Sequence, residues 1–380
     1  MEKQFTILIA LYAKNGTSNA KHFDMIKNRC IGLITLLFFI SCQPKQQVTE
    51  SVSTIDSTLQ VNAISILESK LSEINAQSGQ VIVMEVQSGQ IKALVGLTQK
   101  DSADYQPCEN VCVQQPTGLM HPVSLLAALE TGKVKLEDKV DTGNGIYPVG
   151  NETMKDHNWH RGGYGEITLQ RGIACSSNIA TTKTMEMAFG DNPQAYFDLL
   201  AKMDYGKPDS ITGIANLQPY SITETDMIWL SIGYNQFISP IQVLTFYNAI
   251  ANDGKMVQPQ LYKDSVVVIN PQIASKASID NLKQALAFNI IDGLGQPAKS
   301  EKVTVAGKQG TCQISTNEDG TENKSDTEYA VEFCGYFPVE NPQYSIIVSI
   351  NKKGLPVSGG LMAGDVFRQI VDSMVTKSLL

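Results

Sequence analysis

The apolar pattern places strands at both ends of one stretch of chain and helices between them, and that arrangement constrains the fold more than any other feature. Near the start, QVIVMEV (80–86), the turn Ser88-Gly89 and QIKALVG (90–96) read as a hairpin. After residue 302, VTVAGKQGTCQIS, YAVEFCGYF and QYSIIVSIN read as three more strands. From 122 to about 290 the spacing is mainly helical, with polar loops at 141–166 and 206–223. Apolar residues at helical spacing also occur ahead of the first strand (Val61, Ile64, Leu67, Leu71, Ile74) and behind the last (Val366, Phe367, Ile370, Val371, Met374). Strands contributed by both ends imply one sheet closed by both termini, and hairpin links imply antiparallel pairing. The expectation is an α/β fold: a central antiparallel sheet of about five strands, flanking helices and a large helical insert. No internal repeat interrupts this reading.

The first 60 residues have a different character. Ile31 to Ile40 is apolar, Lys27 and Arg29 precede it, and Ser41-Cys42 closes it. That run is too short to span a bilayer, which needs about 20 apolar residues. A positive start, a short apolar stretch and a small residue describe a secretory signal. Cys42 directly after the small residue resembles a bacterial lipoprotein box, in which the Cys carries lipid; an uncleaved signal anchor is the alternative. Met25 is a plausible true start. The expected organisation is a signal segment over 1–41, a polar tether over 42–60 and one folded domain over 61–380.

Residues 42–380 hold 25 basic and 36 acidic side chains. Such a surface repels phosphate backbones, which disfavours nucleic acid, and none is expected as a partner. Five cysteines remain beyond Cys42: Cys108, Cys112, Cys175, Cys312 and Cys334. An exported chain would meet oxidising conditions. Cys108 and Cys112 could pair within a loop, and Cys312 and Cys334 lie on neighbouring strands, where a cross-strand disulfide or two buried thiols are equally compatible with the pattern. Asp156, His157 and His160 invite a metal reading, but they lie in a glycine-rich loop and no metal is expected.

Several segments together resemble the transpeptidase domain of class B penicillin-binding proteins, the division and elongation type. They are VIVMEVQSGQIKALV, LLAALETGKVKLEDKVDTGNG, HNWHRGGYGEITLQRGIACSSNIATTK, LSIGYNQFISPIQVLTFYNAIANDGKMVQP, GKQGTCQI and CGYFPVENPQYSIIV, in the family's order over about 62–376. Family members usually carry a membrane helix and a pedestal domain first, which the short stretch between Cys42 and the domain leaves no room for. The family's chemistry uses S-x-x-K for nucleophile and base, S-x-N for proton transfer and substrate binding, and K-T-G on an edge strand for the substrate carboxylate. No cofactor is involved.

This chain departs from that pattern. The prolines of QPTGLMHP (115–122) set the register, so the nucleophile position falls on Gly118 and the lysine position on His121. Glycine has no side-chain oxygen and cannot form an acyl-enzyme. Shifting to Thr117 puts Met120 at the base position, and Ser124 has Ala127 there. His121 reads as a structural or solvent-facing residue. The second motif survives as Ser176-Ser177-Asn178, and the third is Lys308-Gln309-Gly310, where Gln309 replaces the small hydroxyl residue. Ser176, Asn178, Lys308 and Gly310 are the expected binding residues, with Lys308 as a fixed positive charge.

The resemblance therefore implies a catalytically inactive transpeptidase homologue in peptidoglycan assembly. It would hold a stem peptide, or dock on another cell-wall protein, and could bind β-lactams weakly. It would sit in the bacterial envelope, exported and lipid-anchored, facing the periplasm. An active D,D-transpeptidase or acyl hydrolase with a nonstandard nucleophile is the alternative.

Overall fold

The computed structural model describes residues 52–100, 104–108, 115–207, 211, 223–315 and 327–377. Cys42, Cys112 and the expected signal segment lie outside them. In chain order the main elements are α1 (Ser57–Ile74), β1 (Ser78–Glu85), β2 (Ile91–Lys100), β3 (Asp104–Pro107), α2 (Met120–Glu130), β4 (Lys139–Asp141), β5 (Ile146–Val149), β6 (Glu152–Lys155), β7 (Glu166–Thr168), α3 (Leu169–Ala174) and α4 (Asn178–Phe189). There follow α5 (Gln194–Lys202), α6 (Glu224–Ser231), α7 (Pro240–Ala251), β8 (Met256–Val257), β9 (Val268–Asn270), α8 (Lys276–Asp292), β10 (Ala306–Ser315), β11 (Glu328–Phe337), β12 (Tyr344–Lys353) and α9 (Asp365–Thr376).

The central sheet has the order β10-β11-β12-β1-β2-β3, with every neighbouring pair antiparallel. The β12–β1 pairing joins the C-terminal meander to the N-terminal hairpin, as the strand pattern at the two ends implies. It carries six strands where about five were expected. The additional one, β3, is the short polar sequence DYQP, largely exposed at the sheet edge, and has no apolar alternation to reveal it. The middle of the chain is also less uniformly helical than its spacing suggests. It contains three two-stranded ribbons, β4–β7, β5–β6 and β8–β9, whose strands of two to four residues are too short to show a period.

The sheet is covered on both faces, which is why β1 is buried almost throughout and carries the unbroken apolar run Val81–Met84. Ile82 and Met84 point into a core built with α2, α7 and the helical middle, whereas Val81 and Val83 point into a second core with α1 and α9. The period-two alternation of a strand divides successive residues between the two cores. In the second core, Leu59, Leu67 and Leu71 of α1 meet Val366, Phe367, Ile370 and Val371 of α9 across the sheet residues Phe333 and Val348. The folded part begins ahead of residue 61. Thr54 is buried with its hydroxyl on the Ile91 carbonyl, 2.8 Å away, and Asp56 caps α1 by accepting from the Leu59 N–H. The polar tether expected over 42–60 thus overlaps the fold at its end. Among the described residues no helix is long and apolar enough to cross a membrane.

Candidate active-site cleft

Three elements converge at the β10 edge of the sheet. A 3-10 turn, Thr117–Leu119, leads into α2 and packs on β10. The loop ahead of α4 brings Ser176 and Ser177, and β10 supplies Lys308, Gln309 and Gly310. A Cβ placed on Gly118 would stand 3.1 Å from Ser176 Oγ, 3.2 Å from the Gln309 carbonyl oxygen and 3.5 Å from Gly310 Cα. Three separated motifs of the sequence therefore meet at one point, and the residue at that point has no side chain.

Thr117 holds the turn in place. It adopts a left-handed φ of 54°, is buried, and its hydroxyl donates to Glu332 Oε2 at 3.0 Å. Glu332 also accepts from Ser349 at 3.0 Å. Gly310 is required here for steric reasons, since a Cβ on it would lie only 1.7 Å from Thr117 Oγ1. Sequence reasoning weighed Thr117 only as a displaced nucleophile and missed Glu332, because a single acidic residue in an apolar strand announces no partner. Ser124, the other hydroxyl considered, is fully buried and bonded to Tyr196 and to the Ser231 carbonyl, which is a packing role.

The α4 loop is fixed by capping. Ser177 accepts from the Ala180 N–H as N-cap of α4 and donates to Asp156 Oδ2 at 2.6 Å, while Asp156 Oδ1 accepts from the Ile179 N–H at 3.1 Å. A carboxylate at a helix N-terminus is favourably placed. Asp156, weighed from sequence as a metal ligand, is thus a positioning residue; burial pushes its carboxyl up, against the pull of these hydrogen bonds. His157 bonds to the Tyr164 hydroxyl at 3.1 Å. Among the described residues no group of three or more His, Cys, Asp or Glu side chains is arranged to hold a metal ion. Ser176 sits in the left-handed region with φ 53° and remains partly exposed, and Asn178 donates to the Lys155 carbonyl at 3.3 Å.

Lys308 differs most from its expected character. It is fully buried, and its amine donates to Ser176 Oγ at 2.8 Å and to the Gln309 carbonyl at 2.7 Å. Burial in a site without an acidic partner lowers its pKa from 10.5 to about 7. It is a titrating amine, not the fixed positive charge expected from sequence. His121 is likewise buried, at 1% exposure, which corrects the solvent-facing reading. Among the described residues neither ring nitrogen has a partner in hydrogen-bond geometry. Burial, and then the Lys308 amine, push its pKa down to about 3, with the Asn178 amide acting the other way, so the imidazole is neutral. Gln309 turns its amide oxygen to Asn289 Nδ2 of α8 at 2.9 Å, and among the described residues its buried amide nitrogen has no partner. Cys312 stands opposite Ala330, and Cys334 opposite Lys308, so the two are not cross-strand partners; both are buried free thiols. Cys175 is a buried free thiol as well, and the Cys108–Cys112 pairing considered from sequence involves Cys112, which lies outside the described residues.

The geometry is matched by sequence comparison. The family model described as penicillin binding protein transpeptidase domain matches residues 79–372. The chain is 25% identical over 344 residues to a probable peptidoglycan D,D-transpeptidase PenA of Neisseria flavescens, covering 85% of this chain and 81% of that protein. It is 24% identical to stage V sporulation protein D of Bacillus subtilis, covering 84% of this chain and 52% of the relative. Several of the relatives are thus longer, and the chain spans little more than half of them. Among solved structures, the transpeptidase domain of Burkholderia pseudomallei penicillin-binding protein 3 in its apo form superposes with a TM-score of 0.74 at 24% identity, over 86% of this chain and 96% of that one.

Proposed function

The chain belongs to the penicillin-binding protein transpeptidase-domain family, with class B homologues, and from that premise we propose that it serves peptidoglycan assembly by binding, not by cross-linking. The observation that carries this reading is Gly118. It occupies the meeting point of the three motifs, where the family places its nucleophile, and brings no hydroxyl to it. The base position is no better equipped. His121 is neutral with a pKa of about 3, far below the operating range of an effective general base. Loss of one catalytic group alone removes orders of magnitude in rate.

The binding half of the site is retained. Ser176, Asn178, Lys308 and Gly310 supply a hydroxyl, an amide, an amine and a glycine on the edge strand of the sheet, a combination suited to a peptide ending in a carboxylate. The ligand is a stem peptide ending in D-Ala, with another cell-wall protein as the alternative occupant and weak β-lactam binding as a corollary. The protein works in the bacterial envelope, exported and anchored through lipid on Cys42. Titration calorimetry with a D-Ala-D-Ala peptide tests this. The expected result is reversible binding that Lys308→Ala weakens, with no release of D-Ala. Release of D-Ala at a catalytic rate, or equal binding by the two proteins, overturns it.

A further inference from the structure

We infer that the β8–β9 ribbon is a membrane-contact element, whose Val266, Val267, Val268 and Ile269 side chains seat in the interfacial layer of the bilayer that holds the lipid on Cys42. This rests on the lipid-anchor reading of Cys42. It adds an orientation, which one lipidated residue by itself does not set.

The ribbon exposes what a strand in water ordinarily hides. Val266, Val267, Val268 and Ile269 are each between 39% and 46% exposed. Successive residues of a strand point to opposite faces, so both faces of this segment are open to solvent. Among the described residues β9 pairs with β8 alone, which leaves its other edge without a strand. Four consecutive aliphatic residues on such an edge invite association, and natural edges of this kind are charged, shortened or covered.

The connectivity of the chain identifies the cover. The described residues begin at Val52, whose carbonyl accepts from the Lys263 N–H at 2.8 Å, three residues ahead of Val266. Ser53 bridges Tyr262 in antiparallel register, and the Thr54 N–H donates to the Leu261 carbonyl at 3.0 Å. The chain therefore enters the fold beside the ribbon. Cys42 is ten residues ahead of Val52, a length that spans at most about 35 Å when fully extended. A lipid on Cys42 keeps this corner of the domain within that reach of the bilayer. The base of the ribbon is tied to the β1–β2 turn, since the Gln260 N–H donates to the Gly89 carbonyl and the Ile91 N–H to the Gln260 carbonyl, both at 2.8 Å. Contact through the ribbon turns that end of the sheet towards the membrane.

A second copy is a poorer cover. Four half-exposed aliphatic side chains present on the order of 300 Å², so two copies meeting there would bury only about half of the roughly 1,200 Å² of a stable interface. A bilayer needs no such area, because the lipid already holds the protein at the surface and makes the ribbon's contact a local one. The contact is apolar in character. Residues 42–380 carry 36 acidic against 25 basic side chains, and at the ribbon Lys263 is followed at once by Asp264. Anionic headgroups add nothing to such a contact.

The test places a tryptophan on β9 of the full lipidated protein, reconstituted in phosphatidylcholine vesicles with or without bromine on the acyl chains. Intact mass first establishes the lipid on Cys42. Val267→Trp is compared with Ile291→Trp, an exposed position about 20 Å along α8 from its β9 end, after subtracting the parent's emission from Trp159 and Trp229. The expected result is blue-shifted emission at 267 and quenching about fivefold that at 291, as burial about 5–10 Å into the headgroup boundary requires. Adding phosphatidylglycerol should leave the quenching unchanged. Ile269→Trp, on the same face, should behave alike, and decides the matter if Val267→Trp does not fold. Equal quenching at 267 and 291 in lipidated protein overturns the inference and leaves the anchor standing. Blue-shifted emission at 267 without quenching also overturns it; the cover is then a second copy if the shift grows with protein density, and the chain itself if it does not. Quenching that requires phosphatidylglycerol overturns the apolar contact. Absence of lipid on Cys42 overturns the inference and the anchor together.

Discussion

Replacing Lys308 with methionine should make the protein more stable at pH 7 and less stable at pH 10. The lysine is fully buried, and its pKa falls from 10.5 to about 7. Between those values the unfolded chain holds a proton that the folded chain does not, so stability rises with pH across that window and is flat below pH 7. Each pKa unit corresponds to about 1.4 kcal/mol, which sets a ceiling of about 5 kcal/mol on the penalty at and below pH 7. Methionine is similar in length, fits an apolar pocket and removes the titration. Against this, the variant loses the bonds to Ser176 and the Gln309 carbonyl, worth about 1 kcal/mol each, and leaves a buried carbonyl short of a donor at a cost of about 1–3 kcal/mol. The net expectation is a gain of up to about 2 kcal/mol at pH 7 that changes sign near about pH 8 and is a loss by pH 10. Urea unfolding of parent and variant at pH 6, 7, 8, 9 and 10 measures it. Other titrating groups largely cancel in the difference. A stability difference that stays constant across that range, or a variant that is weaker at pH 7, would refute the claim that Lys308 is held near neutrality by burial.

Restoring the ancestral groups with Gly118→Ser, His121→Lys and Gln309→Thr should produce a covalent penicillin adduct on the peptide containing residue 118, as mass spectrometry would show. The new Cβ meets Ser176 Oγ at 3.1 Å and the Gln309 carbonyl at 3.2 Å. The hydroxyl can give way but the backbone cannot, so Gly118→Ser alone should lower stability by about 1 kcal/mol despite the better helix propensity of serine. Gly310→Ala puts a Cβ 1.7 Å from Thr117 Oγ1, and Thr117 is tied to Glu332; a loss of at least about 1–3 kcal/mol in a thermal melt is expected. Cys42→Ala, expressed with its native signal, should abolish lipid labelling and release the protein from the membrane fraction; a variant that stays membrane-bound would count against the lipoprotein reading.

Much of the architecture was legible in the chain. The unbroken apolar run of β1 and the three late strands announced a sheet shared by both ends, since a strand covered on both faces has no polar alternation to keep. The motif register rests on the prolines flanking Gly118 and the helical pattern after them, which leave little freedom. What escaped was local and polar: β3 with its DYQP sequence, the short ribbons of the helical middle, and the Thr117–Glu332 bond that links residues 215 positions apart. Neighbouring strands made a Cys312–Cys334 disulfide conceivable, and only the strand register, which sets Cys334 against Lys308, removes it.

By itself the sequence determined which atoms the cleft can contain. Glycine at 118 has no oxygen to offer in any fold, and that covalent fact alone rules out the S-x-x-K mechanism at that position. The tertiary structure decided what the remaining atoms are. Lys308, His121 and Ser176 carry ordinary reference chemistry in an extended chain. Packing removes water from the lysine and the histidine and brings the lysine amine to the serine hydroxyl across 132 residues of sequence. Desolvation then penalises the charged forms, so a lysine becomes a neutral-range amine and a histidine a permanently uncharged ring. Those properties arise from burial and proximity, which only the folded chain possesses.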